Sequence, residues 1–357
     1  MNDFKKVKVL IVDDSASVRQ ILKAILESDP QIEVIGVASD PYAAVERIKE
    51  QTPDVITLDI EMPVMDGLTA LRQIRKLHPR VRTIMFSTLT TRGASSTFEA
   101  LALGADDYVA KASNAGSLDQ SLASLRGELV PKIRQFFATP AAKAPALALA
   151  PRPAVAVPCA QAVRRGAPFR ILGIGVSTGG PQALGQLIPQ LPASLRVPVM
   201  VVQHMPPMFT RLLAERLNSQ SQLRVVEAAD GMEIRTGTVY IAPGDYHLRL
   251  RRSGSGLFGA LDRGPQENSC RPSVDVLFRS LAENFGKDVL SVVLTGMGFD
   301  GLRGTQALKA AGGYSVVQDQ ASSVVWGMPG AVAEAGLADG VFPLAALAAE
   351  IVRLAGV

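Results

Sequence analysis

Residues 7–14 have the sequence VKVLIVDD, a mostly apolar run of six residues that ends in two aspartates. An apolar run of this length is typical of a strand buried in a parallel sheet. Similar runs alternate with helical patterns along the first 125 residues, at 32–38, 54–59, 82–87 and 107–110. Five strand–helix units predict a doubly wound α/β domain, with its ligand site at the carboxyl ends of the strands.

A second α/β pattern begins at Phe169. Its candidate strands are 169–176, 197–203 and 289–295, and its candidate helices are 181–191, 208–220 and 301–311. Residues 223–263 interrupt this alternation with turn signals such as Asp230-Gly231, which favour β hairpins. We therefore expect a second doubly wound α/β domain with a β-hairpin insertion.

Residues 140–168 consist mostly of Ala, Pro, Val and basic residues, which is typical of a linker. We predict a first domain over 1–125, a Pro/Ala-rich basic linker over 126–168 and a second domain over 169–357. Residues 131–170 contain seven basic side chains and no acidic one, so the rest of the chain carries about −3 although the net charge is +4. Because the positive charge belongs to the linker, and no DNA- or RNA-binding motif is present, we expect no nucleic-acid partner.

The composition is that of a globular protein, with 47% hydrophobic and 20% charged residues among 357. This length is sufficient for two domains. No apolar run approaches the roughly 18 residues that a membrane-spanning helix needs, and the first run ends in aspartates, unlike a signal peptide. The two cysteines, Cys159 and Cys270, are too few for a disulfide framework. We expect a cytoplasmic location.

Three aspartates lie where candidate strands of the first domain end: Asp13 and Asp14 after the first, and Asp59 after the third. If these strands are neighbours, the carboxylates converge and raise one another's pKa. A Mg²⁺ ion would remove the repulsion and, beside Asp59, would neutralise phosphate oxygens during attack by its carboxylate. Ser87 and Lys111 end two further strands, and their hydroxyl and ammonium groups could bond the phosphoryl oxygens and report their presence as a switch.

These positions together resemble a response-regulator receiver domain. The similar segments are Val9-Leu-Ile-Val-Asp-Asp14, Leu58-Asp-Ile-Glu-Met-Pro63, Met65-Asp-Gly67, Ser87 and Lys111. The resemblance implies a flavodoxin-like (βα)5 fold, Asp59 as phosphoacceptor, and Mg²⁺ bound by Asp13, Asp14, Asp59 and the backbone carbonyl of Glu61. Ala112 departs from the family, since receivers usually have proline there. Aspartates that merely cap helices are the alternative, and five positions in register weigh against it.

The second domain contains a glycine-rich turn around a serine, Gly173-Ile-Gly-Val-Ser-Thr-Gly-Gly180. Glycines permit the tight turn, and the N–H groups of the following helix could stabilise an anion beside Ser177. A serine hydroxyl is unreactive at its own pKa and needs a base. His204 follows a candidate strand in the same crevice, so we favour it over His247. His78 lies at a helix end of the first domain.

A catalytic histidine needs a carboxylate that fixes its tautomer. Asp300 follows the candidate strand 289–295, and we favour it over Asp275 and Asp245. The order Ser, His, Asp differs from that of α/β-hydrolases and of the two large classes of serine protease. Triads are recognised by geometry, so this order is permitted.

Dinucleotide binding is the rival interpretation of the glycine-rich turn, because Gly173 and Gly175 begin a Gly-x-Gly motif. Thr178, however, occupies the last glycine position of the full motif. The next candidate strand ends in Gln203-His204 and lacks the acidic residue that would hold a ribose. We therefore expect no nicotinamide cofactor.

The second domain resembles the CheB-type chemotaxis methylesterase family. The similar segments are Gly175-Val-Ser-Thr-Gly-Gly180, Gln203-His-Met-Pro206, Tyr240-Ile-Ala-Pro-Gly-Asp245, Arg271-Pro-Ser-Val-Asp-Val-Leu-Phe278, Thr295-Gly-Met-Gly298 and Asp300-Gly301. The resemblance implies Ser177 as nucleophile, His204 as base and Asp300 as its orienting partner, with Met297 lining the site. Cys270 stands where a histidine often precedes the Arg-Pro pair.

The two resemblances together imply a phosphorylation-regulated protein-glutamate methylesterase. Such an enzyme hydrolyses glutamate methyl esters on methyl-accepting chemotaxis receptors with release of methanol, and deamidates receptor glutamines, which gives adaptation in chemotaxis-type signalling. The esterase reaction would need no cofactor. A CheA-type histidine kinase would donate the phosphate. The protein would be peripheral to receptor arrays and not inserted in the membrane.

A transcriptional regulator is one alternative, but the second half has an α/β pattern where a DNA-binding module would lie. A non-catalytic docking protein is another, for which Ser177 and His204 would be dispensable.

Overall fold

The computed structural model describes residues 6–63, 65–88, 90–111, 118–137, 169–254 and 256–356. The chain forms two compact units, Met1–Ala138 and Thr139–Val357. Most of the linker predicted at 126–168 lies outside the described residues, as do Ala112 and Cys159. Within the described ranges, no helix combines the length and the apolar character that a membrane span requires.

The first unit is built on a five-stranded parallel sheet. Its elements are β1 (Val7–Val12), α1 (Ala16–Glu27), β2 (Ile32–Ala38), α2 (Pro41–Glu50), β3 (Val55–Asp59), α3 (Gly67–Leu77), β4 (Arg82–Ser87), α4 (Thr91–Ala102), β5 (Asp107–Ala110) and α5 (Leu118–Gln135). The strands lie in the order β2-β1-β3-β4-β5, which is the flavodoxin-like order. The predicted fold of this half is confirmed.

Side-chain caps fix the starts of the helices that follow the two strands with aspartates at their ends. The Ser15 hydroxyl accepts a hydrogen bond from the N–H of Val18 (3.4 Å) and caps α1. The Asp66 carboxylate accepts one from the N–H of Thr69 (2.7 Å) and caps α3. Such caps satisfy backbone donors that have no partner within the helix. The two caps therefore fix where α1 begins after β1 and where α3 begins after β3.

Helix α5 continues to Gln135, ten residues past the predicted end of the first domain. Its last turn carries two of the basic residues counted with the linker. Lys132 pairs with Asp107 (3.3 Å) and Arg134 pairs with Asp29 (3.4 Å). This part of the predicted linker is therefore helical, and acidic groups of the first unit partner its charges.

The second unit is built on a seven-stranded parallel sheet in the order β14-β13-β12-β6-β7-β9-β8. Its elements are β6 (Ile171–Val176), α6 (Gly180–Leu187), β7 (Val199–Gln203), α7 (Phe209–Gln220), β8 (Arg224–Glu227), β9 (Thr238–Ile241), β10 (His247–Ser253), β11 (Gly256–Asp262), α8 (Val274–Phe285), β12 (Val289–Val293), α9 (Leu302–Ala310), β13 (Tyr314–Gln318), α10 (Met328–Glu334), β14 (Gly340–Phe342) and α11 (Leu344–Ala355). The order reverses between β12 and β7 around β6, so the carboxyl end of β6 lies at a topological switch point.

The structure differs from the prediction over part of residues 223–263. Strands β8 and β9 belong to the main sheet, where they pair in parallel. Strands β10 and β11 form the antiparallel hairpin that the turn signals predict. Turn residues mark where a strand ends but not which strand becomes its partner, so the sequence pattern did not separate the two pairs.

The first two glycines of the turn sequence let helix α8 pack closely on β6. A Cβ atom on Gly173 would lie 2.5 Å from the Leu281 side chain, and one on Gly175 would lie 2.3 Å from the Val274 side chain. Residues two apart in a strand share a face, so the Gly-x-Gly spacing clears one face of β6 for the helix. This packing accounts for the motif that suggested dinucleotide binding.

Candidate active site and phosphoacceptor site

The aspartates of the first unit converge as predicted. Carboxylate oxygens of Asp13, Asp14 and Asp59 lie within 4.8 Å of one another. The ammonium of Lys111, just after β5, lies 3.2 Å from Asp13 Oδ2 and 2.7 Å from Asp59 Oδ2. These residues follow or end β1, β3 and β5. The structure therefore brings four of the predicted residues to one crevice.

The three carboxylates of this crevice outnumber the two cationic groups described beside them, the ammonium of Lys111 and the guanidinium of Arg19. Burial raises the pKa of Asp59, and Lys111 only partly offsets burial. Burial lowers the pKa of Lys111, but hydrogen bonding and attraction to Asp59 and Asp13 outweigh burial and raise it. An all-oxygen donor set with excess negative charge fits a hard divalent cation such as Mg²⁺.

The backbone of Glu61 lies beside Asp59, since its N–H donates a hydrogen bond to Asp59 Oδ1 (3.3 Å). Ser87, in contrast, is hydrogen-bonded toward helix α4. Its hydroxyl donates to the carbonyl of Gly93 (3.0 Å) and accepts from Thr97 Oγ1 (2.6 Å). The structure thus places Ser87 at the end of β4, as predicted, with its hydroxyl occupied by other partners.

Arg19 is a residue of this crevice that sequence reasoning missed. Its guanidinium donates hydrogen bonds to the backbone carbonyls of Asp13 (2.6 Å) and Asp14 (2.9 Å). It therefore fixes the main chain that carries the two carboxylates. Its position in the first turns of α1, directly after the aspartates, was the available signal.

In the second unit, Ser177 follows β6 and is partly exposed. Its N–H donates to the carbonyl of Thr295 (3.0 Å), and its carbonyl accepts from the N–H of Gly180 (2.8 Å). Gly179 has a φ of 76°, a left-handed conformation that glycine adopts without strain. A Cβ on Gly296 would lie 2.9 Å from the Ser177 Cβ. The turn is therefore tight and is held from two sides.

His204 follows β7, the strand paired with β6. The register places Val176 opposite Gln203, so Ser177 and His204 are the next residues on two adjacent strands. The N–H of His204 also donates to the carbonyl of Val176 (3.2 Å). The serine and the histidine therefore leave the sheet side by side at the same edge, as predicted.

Asp300 forms the predicted pair with His204. The distance from His204 Nε2 to Asp300 Oδ2 is 2.8 Å. Asp300 is buried and also accepts hydrogen bonds from the Ser273 hydroxyl (2.9 Å) and from the N–H of Val274 (2.7 Å). Burial raises the pKa of Asp300, but the hydrogen bond from His204 and those from backbone N–H groups outweigh burial and lower it. Asp300 is therefore an ionised group that fixes the histidine ring.

The second ring nitrogen of His204 faces a thiol. Cys270 Sγ lies 3.5 Å from His204 Nδ1. Burial lowers the pKa of His204, but the hydrogen bonds with Asp300 and Cys270 outweigh burial and raise the pKa above its ordinary value. An imidazole with a raised pKa is a stronger proton acceptor.

Asn268, which the sequence analysis did not single out, and Asp275, a less favoured candidate for the orienting carboxylate, both support the pair. The Asn268 amide donates to Asp275 Oδ2 (2.9 Å) and to Asp300 Oδ1 (2.8 Å), so it bridges two buried carboxylates. Burial and the neighbouring Asp300 raise the pKa of Asp275. Asn268 and Ser269 have φ values of 52° and 62° in a turn that hydrogen bonds close between Glu267 and Cys270. Two adjacent left-handed residues are the mark of a type I′ turn.

The alternative candidates occupy other places. His247 is buried, and its ring bonds the carbonyl of Pro265 (2.9 Å) and the N–H of Ser273 (3.2 Å), which is a supporting position. Asp245 pairs with Arg271. His78 lies in the first unit, at the end of α3.

Comparison with known proteins gives matches over both halves. The family models of the response regulator receiver domain and of the CheB methylesterase match residues 9–123 and 172–351. A protein of Trichodesmium erythraeum (strain IMS101) called protein-glutamate methylesterase/protein-glutamine glutaminase is 49% identical over 98% of this chain and 99% of its own length. A protein of the same name from Nocardioides sp. is 48% identical over 97% of this chain and 95% of its own.

A solved structure matches the second half. The crystal structure of the Thermotoga maritima CheB methylesterase catalytic domain is 45% identical with a TM-score of 0.51, and the match covers 52% of this chain and 98% of that one. The fold, the order of the two halves and these matches agree. The chain belongs to the CheB methylesterase family and carries a response regulator receiver domain ahead of its methylesterase domain.

Proposed function

We propose that this chain is a phosphorylation-regulated protein-glutamate methylesterase that also deamidates protein glutamines, with chemoreceptors as its substrates. The observation that carries the proposal is the His204–Asp300 hydrogen bond (2.8 Å) at the strand ends that also present Ser177. Relatives that are 48–49% identical over nearly the whole chain bear both activities in their names, which supports this choice of reaction.

In the first step, the Ser177 hydroxyl attacks the γ-carbonyl carbon of a methylated glutamate, and His204 accepts the hydroxyl proton. Nε2 of His204 is engaged with Asp300, so Nδ1 is the nitrogen that takes the proton. Asp300 stabilises the imidazolium that forms. The N–H groups at the start of α6 stabilise the negative charge on the former carbonyl oxygen.

In the second step, the tetrahedral intermediate expels methanol, which takes its proton from His204. An acyl ester on Ser177 remains. Water then gives a proton to His204, attacks the ester and releases a free glutamate side chain and the serine hydroxyl. A glutamine follows the same path and releases ammonia. Both steps use acid–base chemistry of the protein's own side chains.

In the first unit, Asp59 accepts a phosphoryl group. Mg²⁺ would be held by Asp13, Asp14, Asp59 and the backbone carbonyl of Glu61. When bound, the ion neutralises charge on the phosphoryl oxygens. Lys111 already contacts Asp59, and after phosphorylation its ammonium pairs with a phosphoryl oxygen. The Ser87 hydroxyl gives up its hydrogen bond to the Gly93 carbonyl before it bonds a phosphoryl oxygen.

This scheme assigns partners to the two sites. A CheA-type histidine kinase donates the phosphoryl group, and the methylated segments of chemoreceptors enter the esterase site. The protein works in the cytoplasm at receptor arrays. Phosphorylation of Asp59 raises the rate at the esterase site, and the unphosphorylated first unit lowers it.

The test of this function is product release from receptor membranes. Purified protein is mixed with membranes that carry methylated receptors, and methanol is measured. Membranes of cells without the receptor methyltransferase are the control. We expect methanol only from the methylated membranes, and ammonia from receptors that carry glutamine at the modified positions. Equal signals from both membranes would refute the proposed substrate.

A further inference from the structure

The side chains of His204, Cys270 and Asp300 offer a nitrogen, a sulfur and an oxygen atom that all lie within 4.8 Å of one another. Cysteine sulfur and histidine nitrogen are ligands of Zn²⁺ in proteins, and a carboxylate commonly holds the other ring nitrogen of such a histidine. We propose that this cluster is an inhibitory binding site for a thiophilic divalent cation such as Zn²⁺, with Cys270 and His204 as ligands and Asp300 as the residue that orients the histidine.

The distance between the two ligand atoms is the one that a single bound ion requires. Typical Zn–S and Zn–N bonds are about 2.3 Å and about 2.0–2.1 Å, so a tetrahedral ion holds its sulfur and nitrogen ligands about 3.5–3.6 Å apart. Cys270 Sγ and His204 Nδ1 are 3.5 Å apart. Cys270 binds as a thiolate, and its proton passes to solvent.

Asp300 supplies what zinc-bound histidines generally have, a carboxylate on the other ring nitrogen. Its Oδ2 lies 2.8 Å from His204 Nε2. That oxygen also accepts from the N–H of Val274, and the other carboxylate oxygen accepts from Ser273 and Asn268. Because these hydrogen bonds hold the carboxylate in place, Asp300 keeps the proton of His204 on Nε2. The lone pair on Nδ1 is then available to the ion.

The turn that carries Cys270 holds the thiol in place before an ion binds. Glu267 and Cys270 exchange backbone hydrogen bonds of 3.1 and 2.8 Å across the turn, and the Glu267 carboxylate pairs with Arg279 (2.5 Å). A preorganised ligand loses less conformational entropy when it binds. Cys270 and His204 are both partly exposed, so an ion can reach them and water can complete its coordination.

The consequence for activity rests on the proposed function, whereas binding itself does not. An ion on Nδ1 occupies the lone pair that accepts the Ser177 proton, so the bound enzyme is inactive. Removal of the ion restores the base. A chain with histidine, cysteine and aspartate in this arrangement is therefore sensitive to thiophilic metals through its own catalytic base.

The binding test uses Co²⁺, which replaces Zn²⁺ and gives thiolate-to-metal absorption in the near ultraviolet when sulfur is a ligand. We expect this absorption in the full-length protein and in Cys159→Ser, which removes the other cysteine of the chain. We expect it to be absent in Cys270→Ser. The receiver carboxylates have no sulfur and cannot produce it. Absorption that persists in Cys270→Ser, or that is missing from the full-length protein, would overturn the site.

The inhibition test measures methanol release at increasing Zn²⁺ concentrations, each rate relative to that of the same variant in EDTA. We expect Cys270→Ser to need at least tenfold more Zn²⁺ for half inhibition than the full-length protein and Cys159→Ser. EDTA should restore the rate. Equal sensitivity of all three proteins would contradict inhibition through Cys270. If no variant releases methanol, the proposed function fails and the Co²⁺ result still decides the metal site.

Discussion

His204 Nε2 lies 2.8 Å from Asp300 Oδ2, and this contact joins residues 96 positions apart at the carboxyl edge of one parallel sheet. Strands β7 and β12, which precede them, flank β6 on its two sides. Ser177 follows β6, the strand that lies between β12 and β7 in the sheet. The proposed nucleophile, base and orienting carboxylate therefore follow three neighbouring strands, at the place where the strand order reverses.

The His204–Asp300 pair predicts a pH dependence of the esterase rate. The imidazole must be neutral to accept the Ser177 proton. Burial lowers the pKa of His204, but hydrogen bonds with Asp300 and Cys270 outweigh burial and raise this pKa. Activity should therefore appear as the pH rises through a value above 6.5. The measurement is the pH profile of methanol release.

Cys270→Ala removes one of the interactions that raise the pKa of His204, so its profile should shift to lower pH. Cys159→Ala should leave the profile unchanged. A half-maximal rate below pH 6.5, or no shift in Cys270→Ala, would contradict the assignment of His204 and its surroundings.

Asn268 should contribute to stability because its amide separates two buried carboxylates. We expect Asn268→Gly, which keeps the left-handed backbone conformation, to lower the free energy of unfolding by about 1–3 kcal/mol. Urea unfolding can be followed by the fluorescence of Trp326, the single tryptophan of the chain. Ser269→Gly is the matched control, because Ser269 is exposed and has a similar φ. An equal loss in both variants would refute the role of the amide.

The packing role of Gly175 is tested by a pair of glycine substitutions. In Gly175→Ala the new methyl group would overlap Val274, and we expect a destabilisation of about 1–3 kcal/mol. In Gly185→Ala, inside α6, the new methyl group meets nothing within 4 Å, and a gain of up to about 1 kcal/mol is expected. Thermal unfolding of both proteins gives the comparison. If Gly175→Ala unfolds at the same temperature as the unaltered protein, packing against Val274 does not explain why glycine is present.

The regulatory role of the first unit is tested by its removal. We expect a chain lacking residues 1–140 to release methanol faster than the unphosphorylated full-length protein. A small phosphodonor with Mg²⁺ should accelerate the full-length protein but not its Asp59→Asn variant. If the shortened protein is folded by circular dichroism and is no faster than the unphosphorylated one, inhibition by the first unit is wrong.

The sequence predicts strand-end residues well, and it does so for a physical reason. A buried parallel strand is an unbroken apolar run, so the polar residue that ends it marks the crevice. Asp13, Asp59 and His204 were placed at strand ends in this way, and Asp300 was placed in the loop that follows the candidate strand 289–295. The structure brings these residues together in two groups.

Residues outside strand ends could not be found by this reasoning. Asn268 reaches Asp300 because two consecutive residues adopt positive φ in a tight turn, and no spacing rule connects positions 268 and 300. The hydroxyl of Ser87 was placed on the right strand, but its bond to Gly93 depends on how α4 begins. Both cases are set by loop conformation, which hydrophobic periodicity does not encode.

The most direct test of the central claim is the rate of methanol release by Ser177→Ala from methylated receptor membranes, with a phosphodonor present. Ser219→Ala, on the exposed end of α7, is the control. We expect Ser177→Ala to unfold at the same temperature as the unaltered protein and to lose at least a thousandfold of its rate, while Ser219→Ala keeps full activity. A Ser177→Ala protein that releases methanol at the normal rate would contradict the assignment of this serine as the nucleophile.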